Sequence, residues 1–340
     1  MILKQFLILY KKGTNKLSNI DLILKAREHG KNFIFETPIL FNQKFNEIVG
    51  KNIFIKPECL QVTGSFKFRG AWCAISHLKK ENKISNGVVA YSSGNHAQAV
   101  ASASMTHGIS SVIIMPKDAP KQKISNTLGY NAEVVFYDRY NEIREQIGEN
   151  IAIEKNLTLI KPYDEDLVIA GQGTCGLEII EQSKKLGLEK AEVLVCCGGG
   201  GLSAGISLAL EKYAPYYKLR TCEPEFYDDT ARSLKSGKRE INETTYPSIC
   251  DAILTPTPGE ITFPILKRNA REGLVASETE VLQAMKLLYQ HFKIVAEPGG
   301  AVAAAAAIFS KNKLKEKDII VVVSGGNVDS EVFSKAISEK

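Results

Sequence analysis

Short β-branched runs alternate with helix-length segments along most of the chain, and this alternation constrains the fold more than any other feature. "GVVAYSS" precedes the helical pattern "NHAQAVASASMTHG", "SSVIIMP" precedes "APKQKISNTLGY", and "AEVVFYD" precedes "RYNEIREQIGENIAIEKN". Further on, "LTLIKPYD" leads to "AGQGTCGLEIIEQSKKLG" and "EVLVCCGGGG" to "LSAGISLALEKYAP". After "KLRTCEP" the pattern loosens, and "SETEVLQAMKLLYQHF", "GGAVAAAAAIFSK" and "DIIVVVSGGN" close the chain. Strands separated by helices pair in parallel and are covered on both faces. The fold class is therefore α/β, with two doubly wound domains and mostly parallel sheets. Residues 86–157 make a small domain inserted in a larger one built from 1–85 and 158–340. A cleft between two such domains is a usual ligand site. The alanines of "AVAAAAAIF" suit a helix packed closely against a sheet.

A chain of 340 residues, 44% hydrophobic and 24% charged, is long enough for about two domains. Its 43 Lys and Arg against 38 Asp and Glu are scattered in ones and twos. That pattern argues against a nucleic-acid or membrane partner and is compatible with an anionic small ligand. The seven cysteines, Cys59, Cys73, Cys175, Cys196, Cys197, Cys222 and Cys250, include no C-x-x-C pair. They read as buried small hydrophobes in a reducing cytoplasm. The opening "MILKQFLILYKKG" is too short for a membrane span and lacks a cleavage site, so the first fifteen or so residues read as an extension of no assigned role.

Three glycine-rich stretches each follow an apolar strand: "SSGNHAQAV" at 92–100, "CGGGGLSAG" at 197–205 and "SGGNVD" at 324–329. In parallel sheets such turns lie at the carboxyl ends of strands, where ligands bind. Gly198, Gly199, Gly200 and Gly201 let successive N–H groups converge on an anion ahead of a helix N-terminus, which makes a phosphate cup. "SSGNH" offers Ser92, Ser93, Asn95 and His96 to a carboxylate; alternatively, Ser93 or Asn95 caps the helix. Five histidines without spaced Cys/His pairs speak against zinc. In "QVTGSFKFRGAW", Lys67 stands between Phe66 and Phe68. A lysine in an aromatic setting, a phosphate cup and a carboxylate loop are the parts needed to hold pyridoxal phosphate and present an amino acid to it.

With "TGSFKFRGA", "SSGNHAQAVA", "AGQGT", "CGGGGLSAGI", "EPGGAVAAA" and "VSGGNVD" in this order, residues 17 to about 335 resemble the fold type II pyridoxal-phosphate enzymes. The branch is that of the threonine/serine dehydratases and serine racemases, with the tryptophan synthase β-like fold. The resemblance implies that Lys67 is the Schiff-base lysine, that Phe66 packs on the pyridine ring, and that Gly198 to Gly201 hold the phosphate. It gives Asn95 to the 3′-oxygen, Ser324 to the pyridine nitrogen, and Ser92, Ser93, Asn95 and His96 to the substrate carboxylate. A hydroxyl such as Ser324 leaves the ring nitrogen less protonated than an acid would, which favours prompt loss of a β-substituent over transamination.

The implied reaction is dehydration of a β-hydroxy amino acid (L-threonine, L-serine or a 3-hydroxyaspartate) to a 2-oxo acid and ammonia, with Lys67 taking the α-proton. Ser93 matches a serine that racemases place on the opposite face, so racemisation is the alternative activity. "CEPEFYDD" resembles a divalent-cation loop in which Glu223, Asp229 and the Tyr227 carbonyl would bind Mg2+ or Ca2+. Two departures bear on specificity: Tyr163 stands where racemases tend to have asparagine, and Ala252 where glycine is common. No C-terminal regulatory domain is expected, and the family implies a homodimer. A ligand sensor that keeps the cup without chemistry is a third reading.

Overall fold

A computed structural model describes residues 18–92, 94–119, 121–139, 141–243 and 246–338. The N-terminal extension and Ser93 lie outside the described residues. Among the described residues ten strands form two sheets. In chain order these are β1 (Leu40–Phe41), β2 (Asn52–Pro57), β3 (Val88–Tyr91), β4 (Ser111–Pro116), β5 (Glu133–Tyr137), β6 (Thr158–Leu159), β7 (Glu192–Cys196), β8 (Lys218–Pro224), β9 (Ala270–Ala276) and β10 (Asp318–Val323). The larger sheet runs β1-β2-β10-β7-β8-β9, parallel throughout except for the antiparallel edge strand β1. The smaller runs β5-β4-β3-β6 and is entirely parallel.

The run "DIIVVV" forms β10 in the middle of the larger sheet, with Val321 opposite both Ile55 and Leu194. Its side chains alternate between two cores, as the two-residue period of a strand requires. Ile320 and Val322 face the core that holds the Asp166–Lys185 and Gly201–Tyr213 helices, whereas Ile319, Val321 and Val323 face the Pro298–Phe309 helix. That last helix is the alanine-rich one, and it lies against β7 to β10. A Cβ on its Gly300 would come within 2.3 Å of the Gly325 carbonyl oxygen, so close approach at this point requires glycine.

The structure departs from the sequence reading in three places. The strand in "LTLIKPYD" contributes only Thr158–Leu159 and joins the smaller sheet, so that sheet draws on residues beyond 157. Backbone bonds from Thr158 N–H to the Gly87 carbonyl and from Ile160 N–H to the Val89 carbonyl, both 2.9 Å, hold it there. The helix expected from residue 139 begins at Arg144, because Asn141 and Glu142 N–H groups turn back to the Asp138 carbonyl. Strand β9, "AREGLVA", had no clear signal: as an edge strand it carries exposed Arg271 and Glu272 in place of an apolar run. All seven cysteines are buried and free, as expected.

Among the described residues no helix is long and apolar enough to cross a membrane.

Candidate active site

The lysine stretch owes its position to backbone geometry. After β2 the chain turns through Glu58–Leu60 and Val62–Gly64, where Thr63 and Gly64 take positive φ of 63° and 74°. A threonine in the left-handed region costs of order 1 kcal/mol, so neighbouring contacts must hold it there. Those contacts come from the third glycine turn: Ser65 bridges Gly325, Phe66 N–H donates to the Ser324 carbonyl at 3.0 Å, and Gly326 N–H to the Gly64 carbonyl at 2.9 Å. Lys67 is thereby set as the first residue of the Lys67–Lys80 helix.

The two phenylalanines then part. Phe68 enters the core against Trp72, whereas Phe66 lines a cleft with Lys67 Nζ 5.2 Å from its ring centroid. The Lys67 side chain opens on the cleft and its amine donates to the Pro162 carbonyl at 2.7 Å. Desolvation, and then the charge of Arg144, push the amine down to about 8, opposed by Glu297.

The cleft has an empty volume of about 1010 Å³ including its open mouth, and it gathers Phe66, Lys67, Ser92, Asn95, His96, Gly198, Gly199, Gly200, Gly201 and Ser324. Strand ends from both sheets meet there. Ser92 continues from β3: its N–H donates to the Ile114 carbonyl at 3.0 Å and its Oγ accepts Gly94 N–H at 3.1 Å. Asn95 does not cap its helix. Its Nδ2 donates to Glu297 Oε1 and its Oδ1 accepts from Asn327 Nδ2 at 2.7 Å. His96 is buried, with Nε2 donating to the Ile160 carbonyl at 3.0 Å; burial, and next the Lys67 charge, hold it down at about 3, so the ring is neutral.

At the end of β7, the N–H groups of Gly198, Gly199 and Gly200 have no backbone acceptor among the described residues. Gly200, at φ 89°, opens the Gly201–Tyr213 helix, whose first amides are also free of intrahelical partners. A Cβ on Gly199 would lie 2.2 Å from the Tyr163 ring, and Thr262 Oγ1 fixes the Gly199 carbonyl at 2.7 Å. A ring of unpaired donors at a helix N-terminus, narrowed by an aromatic wall, fits a phosphate group.

The family whose sequence profile matches residues 31–325 is described as "Pyridoxal-phosphate dependent enzyme". The chain belongs to this family. Over 94% of its length the enzyme is 39% identical to the L-threo-3-hydroxyaspartate ammonia-lyase of Saccharomyces cerevisiae, covering 96% of that protein. It is also 39% identical to the serine racemase of Schizosaccharomyces pombe, over 95% of this chain and 98% of that one. Among solved structures it resembles the serine racemase of Dictyostelium discoideum with a TM-score of 0.82 and 37% identity, over 92% of this chain and 99% of that one. A threonine deaminase structure is equally well covered, with a TM-score of 0.85 and 36% identity. Fold type II is thus the architecture of the enzyme.

Several cleft residues had escaped the sequence reading as site residues: Tyr91, Lys123, Arg144, Asp251 and Glu297. Glu297 and Lys123 sit inside quoted stretches, "EPGGAV" and "APKQKIS", but an acid before a proline reads as a cap and a lysine among polar residues as solvated surface. Only the tertiary fold brings Lys123 Nζ to 2.9 Å from Asp251 Oδ2, with the lysine nearly dry.

Glu223, Tyr227 and Asp229 do not line the cleft. Glu223 accepts the N–H groups of Thr230 and Ala231 at 2.8 and 2.7 Å, which caps the Asp229–Ser236 helix. Asp229 Oδ1 accepts from Asn242 at 2.6 Å, while its buried Oδ2 has no partner among the described residues. Burial, and then the Asp229 charge, push the Glu223 carboxyl up; burial above all pushes Asp229 up to about 7, with Asp228 adding to it. No cluster of three or more His, Cys, Asp or Glu side chains that could hold a metal occurs among the described residues. The orphan Asp229 oxygen beside a second buried acid fits a hard cation completed by a carbonyl and waters.

A test of the cup follows from its geometry. Gly199→Ala must displace the Tyr163 ring, so cofactor affinity is expected to fall at least about tenfold, the equivalent of about 1.4 kcal/mol. Equilibrium titration with pyridoxal phosphate, followed by absorbance, reads this directly; unchanged affinity would contradict the cup.

Proposed function

We propose that the enzyme is an ammonia-lyase that dehydrates a β-hydroxy amino acid, of the class of L-threonine, L-serine or 3-hydroxyaspartate, to a 2-oxo acid and ammonia. The observation that carries this reading is Lys67: an amine held partly neutral in a cleft that is also lined by a glycine cup of N–H groups without backbone acceptors among the described residues. Bound pyridoxal phosphate would supply an electron sink that acidifies the α-hydrogen of an attached amino acid. The residues that would hold it are Lys67, Phe66, Asn95, Ser324 and Gly198 to Gly201.

The chain's own part in the reaction is binding and proton transfer. Ser92, Asn95 and the head of the Asn95–His107 helix would take the substrate carboxylate, with neutral His96 bracing the loop through Ile160. Lys67 would remove the α-proton, since burial leaves a usable neutral fraction near pH 8. Loss of the β-hydroxyl as water, followed by hydrolysis, balances the substrate as 2-oxo acid plus ammonia.

Racemisation is the second reading, favoured by Ser93 in the sequence and by the serine racemase relative at 39% identity. One experiment separates the two. The cofactor-loaded enzyme is incubated with L-serine, L-threonine and both 3-hydroxyaspartate diastereomers, and 2-oxo acid and D-amino acid are measured together. Excess 2-oxo acid supports the lyase and names its substrate; excess D-amino acid replaces it with the racemase. Absence of both products overturns the two readings.

We further propose a cation at Glu223, the Tyr227 carbonyl and Asp229, a cytoplasmic location fitting seven unpaired thiols, a homodimer, and two domains corresponding to the two sheets. For the cation, Mg2+ or Ca2+ is expected to raise Tm by roughly 3 °C or more, reversibly with chelator, and Asp229→Asn to lose the effect. Equal Tm with cation and with chelator would remove the metal from the account.

A further inference from the structure

Glu297 is the buried acid of the cleft that the reaction scheme leaves without a task. It precedes the Pro298–Phe309 helix, is 2% exposed, and is anchored by its N–H to the Gly325 carbonyl at 3.0 Å. Its Oε1 accepts from Asn95 Nδ2, while Oε2 is buried with no partner among the described residues. Asn95 is held from its other side as well: Oδ1 accepts from Asn327 Nδ2 at 2.7 Å, and Asn327 Nδ2 also donates to the Thr63 carbonyl at 2.8 Å. A primary amide has two N–H donors and one carbonyl oxygen. With the oxygen taken by Asn327 and one N–H taken by Glu297, the amide cannot flip, and one N–H is left over for the cleft that Asn95 lines.

We propose that Glu297 is a positioning residue: in its protonated form it fixes the Asn95 amide so that the remaining N–H points to the cofactor ring. The charged groups that face it agree with a neutral acid. Lys123 from the Lys121–Gly129 helix favours its ionisation, but Asp251 neutralises that lysine at 2.9 Å and itself opposes ionisation. Lys67 contributes a weaker pull toward the anion, Cys59 faces it from the Glu58–Leu60 turn with its thiol pushed up by burial, and Asp329 acts on Lys123 from beyond. Desolvation dominates and pushes the Glu297 carboxyl up to about 7. An anion there would leave a bare charged Oε2 in a dry site; a proton removes the charge, which is the larger part of that cost.

The inference rests on membership of the cofactor family and not on which amino acid reacts, so its test reads the bound cofactor before any substrate is added. In the holoenzyme, the absorbance of bound pyridoxal phosphate is titrated with pH for wild type, Glu297→Gln and Glu297→Ala, with cofactor Kd, kcat and KM measured alongside. Glutamine keeps an acceptor toward Asn95 and cannot ionise. The expected result is a wild-type inflection near pH 7 that Glu297→Gln lacks, with the Gln variant otherwise matching the wild-type band and kcat at neutral pH. Glu297→Ala is expected to shift the band and lower kcat about tenfold or more with little change in KM. If glutamine behaves like alanine, the anion is what works and the proposal is wrong; if both variants keep the wild-type band and inflection, Glu297 only fills space. Should the alanine variant fail to fold, Asn327→Ala, which frees the Asn95 amide from its other side, must shift the same band, and an unshifted band overturns the proposal. A moved spectrum with no turnover of any β-hydroxy amino acid would refute the lyase reading and leave this one standing.

Discussion

Lys67→Ala is expected to abolish turnover, by about 10²- to 10⁴-fold from loss of the base alone and by more if the lysine also anchors the cofactor. The variant should fold, because the Lys67 side chain opens on the cleft and, among the described residues, its hydrogen bond is to the Pro162 carbonyl. The physical ground for the choice is its amine. An ordinary lysine with a value of 10.5 would be about 0.3% neutral at pH 8, whereas one lowered to about 8 is half neutral there. The sign gives a second measurement: since only the neutral amine is nucleophilic, the rate at which apoprotein takes up pyridoxal phosphate should rise with pH and level off above about 8. Retained 2-oxo acid formation by Lys67→Ala would remove the residue from the chemistry, and a loading rate still climbing steeply above pH 10 would mean that the amine is not desolvated.

The largest effect on stability is expected two residues further along the same helix. Arg69 is completely buried between two carboxylates. Its Nε and Nη2 donate to Glu58 at 2.6 and 2.8 Å, its Nη1 and Nη2 to Glu178 at 2.6 and 2.8 Å, and Nη1 also to Thr174 at 3.1 Å. Lys56 completes the network through Glu178, at 2.6 Å, and the Thr37 carbonyl. These bonds tie β2, the lysine helix and the Asp166–Lys185 helix into one unit, so the network sets where Lys67 stands. Arg69→Met leaves two buried carboxylates short of a partner, and breaking such a network costs about 3–5 kcal/mol. A fall in Tm of roughly 10 °C is the expected reading.

Acid provides a check on the cause. Burial pushes the Glu58 carboxyl up, but the charge and hydrogen bonds of Arg69, with Lys56 and Thr37, outweigh it and hold the group below its usual 4.5. A carboxylate lowered in the native state contributes stability above its unfolded value and loses it as pH falls through the native one. Wild type and Arg69→Met should therefore converge in stability below about pH 4.5; a gap that persists undiminished in acid would mean lost packing and not lost pairing.

The network also shows where the sequence stops being informative. Lys56, Glu58, Arg69 and Glu178 read individually as ordinary surface charges, since such residues are seldom fully buried. The pairs with Glu178 span over a hundred positions, and no local period encodes them. Asn95 is a similar case. Its place after a strand and at the head of a helix was legible, yet the sequence left capping and ligand binding open; only Glu297 and Asn327, brought in from the far end of the chain, decide how its amide is turned. Composition and spacing do not separate Phe66 from Phe68, and only the resemblance singled out Phe66; the helix beginning at Lys67 sends Phe66 to the cleft and Phe68 to the core.

Residue pattern was enough to specify the layered α/β architecture and the three glycine turns at strand ends, because a strand has a period of two, a helix of 3.6, and glycine alone permits the close backbone approaches these turns need. It also placed Lys67, Phe66, Ser92, Asn95, His96, Gly198 to Gly201 and Ser324 in one expected cleft, and the structure brings them together. Folding set what surrounds them: which sheet takes residues 158–159, the buried ion network behind Lys67, and the dry acid behind Asn95. The physical reason is that ionisation and hydrogen-bond direction depend on desolvation and on partners distant in the chain. Those exist only once the two sheets have closed around the cleft.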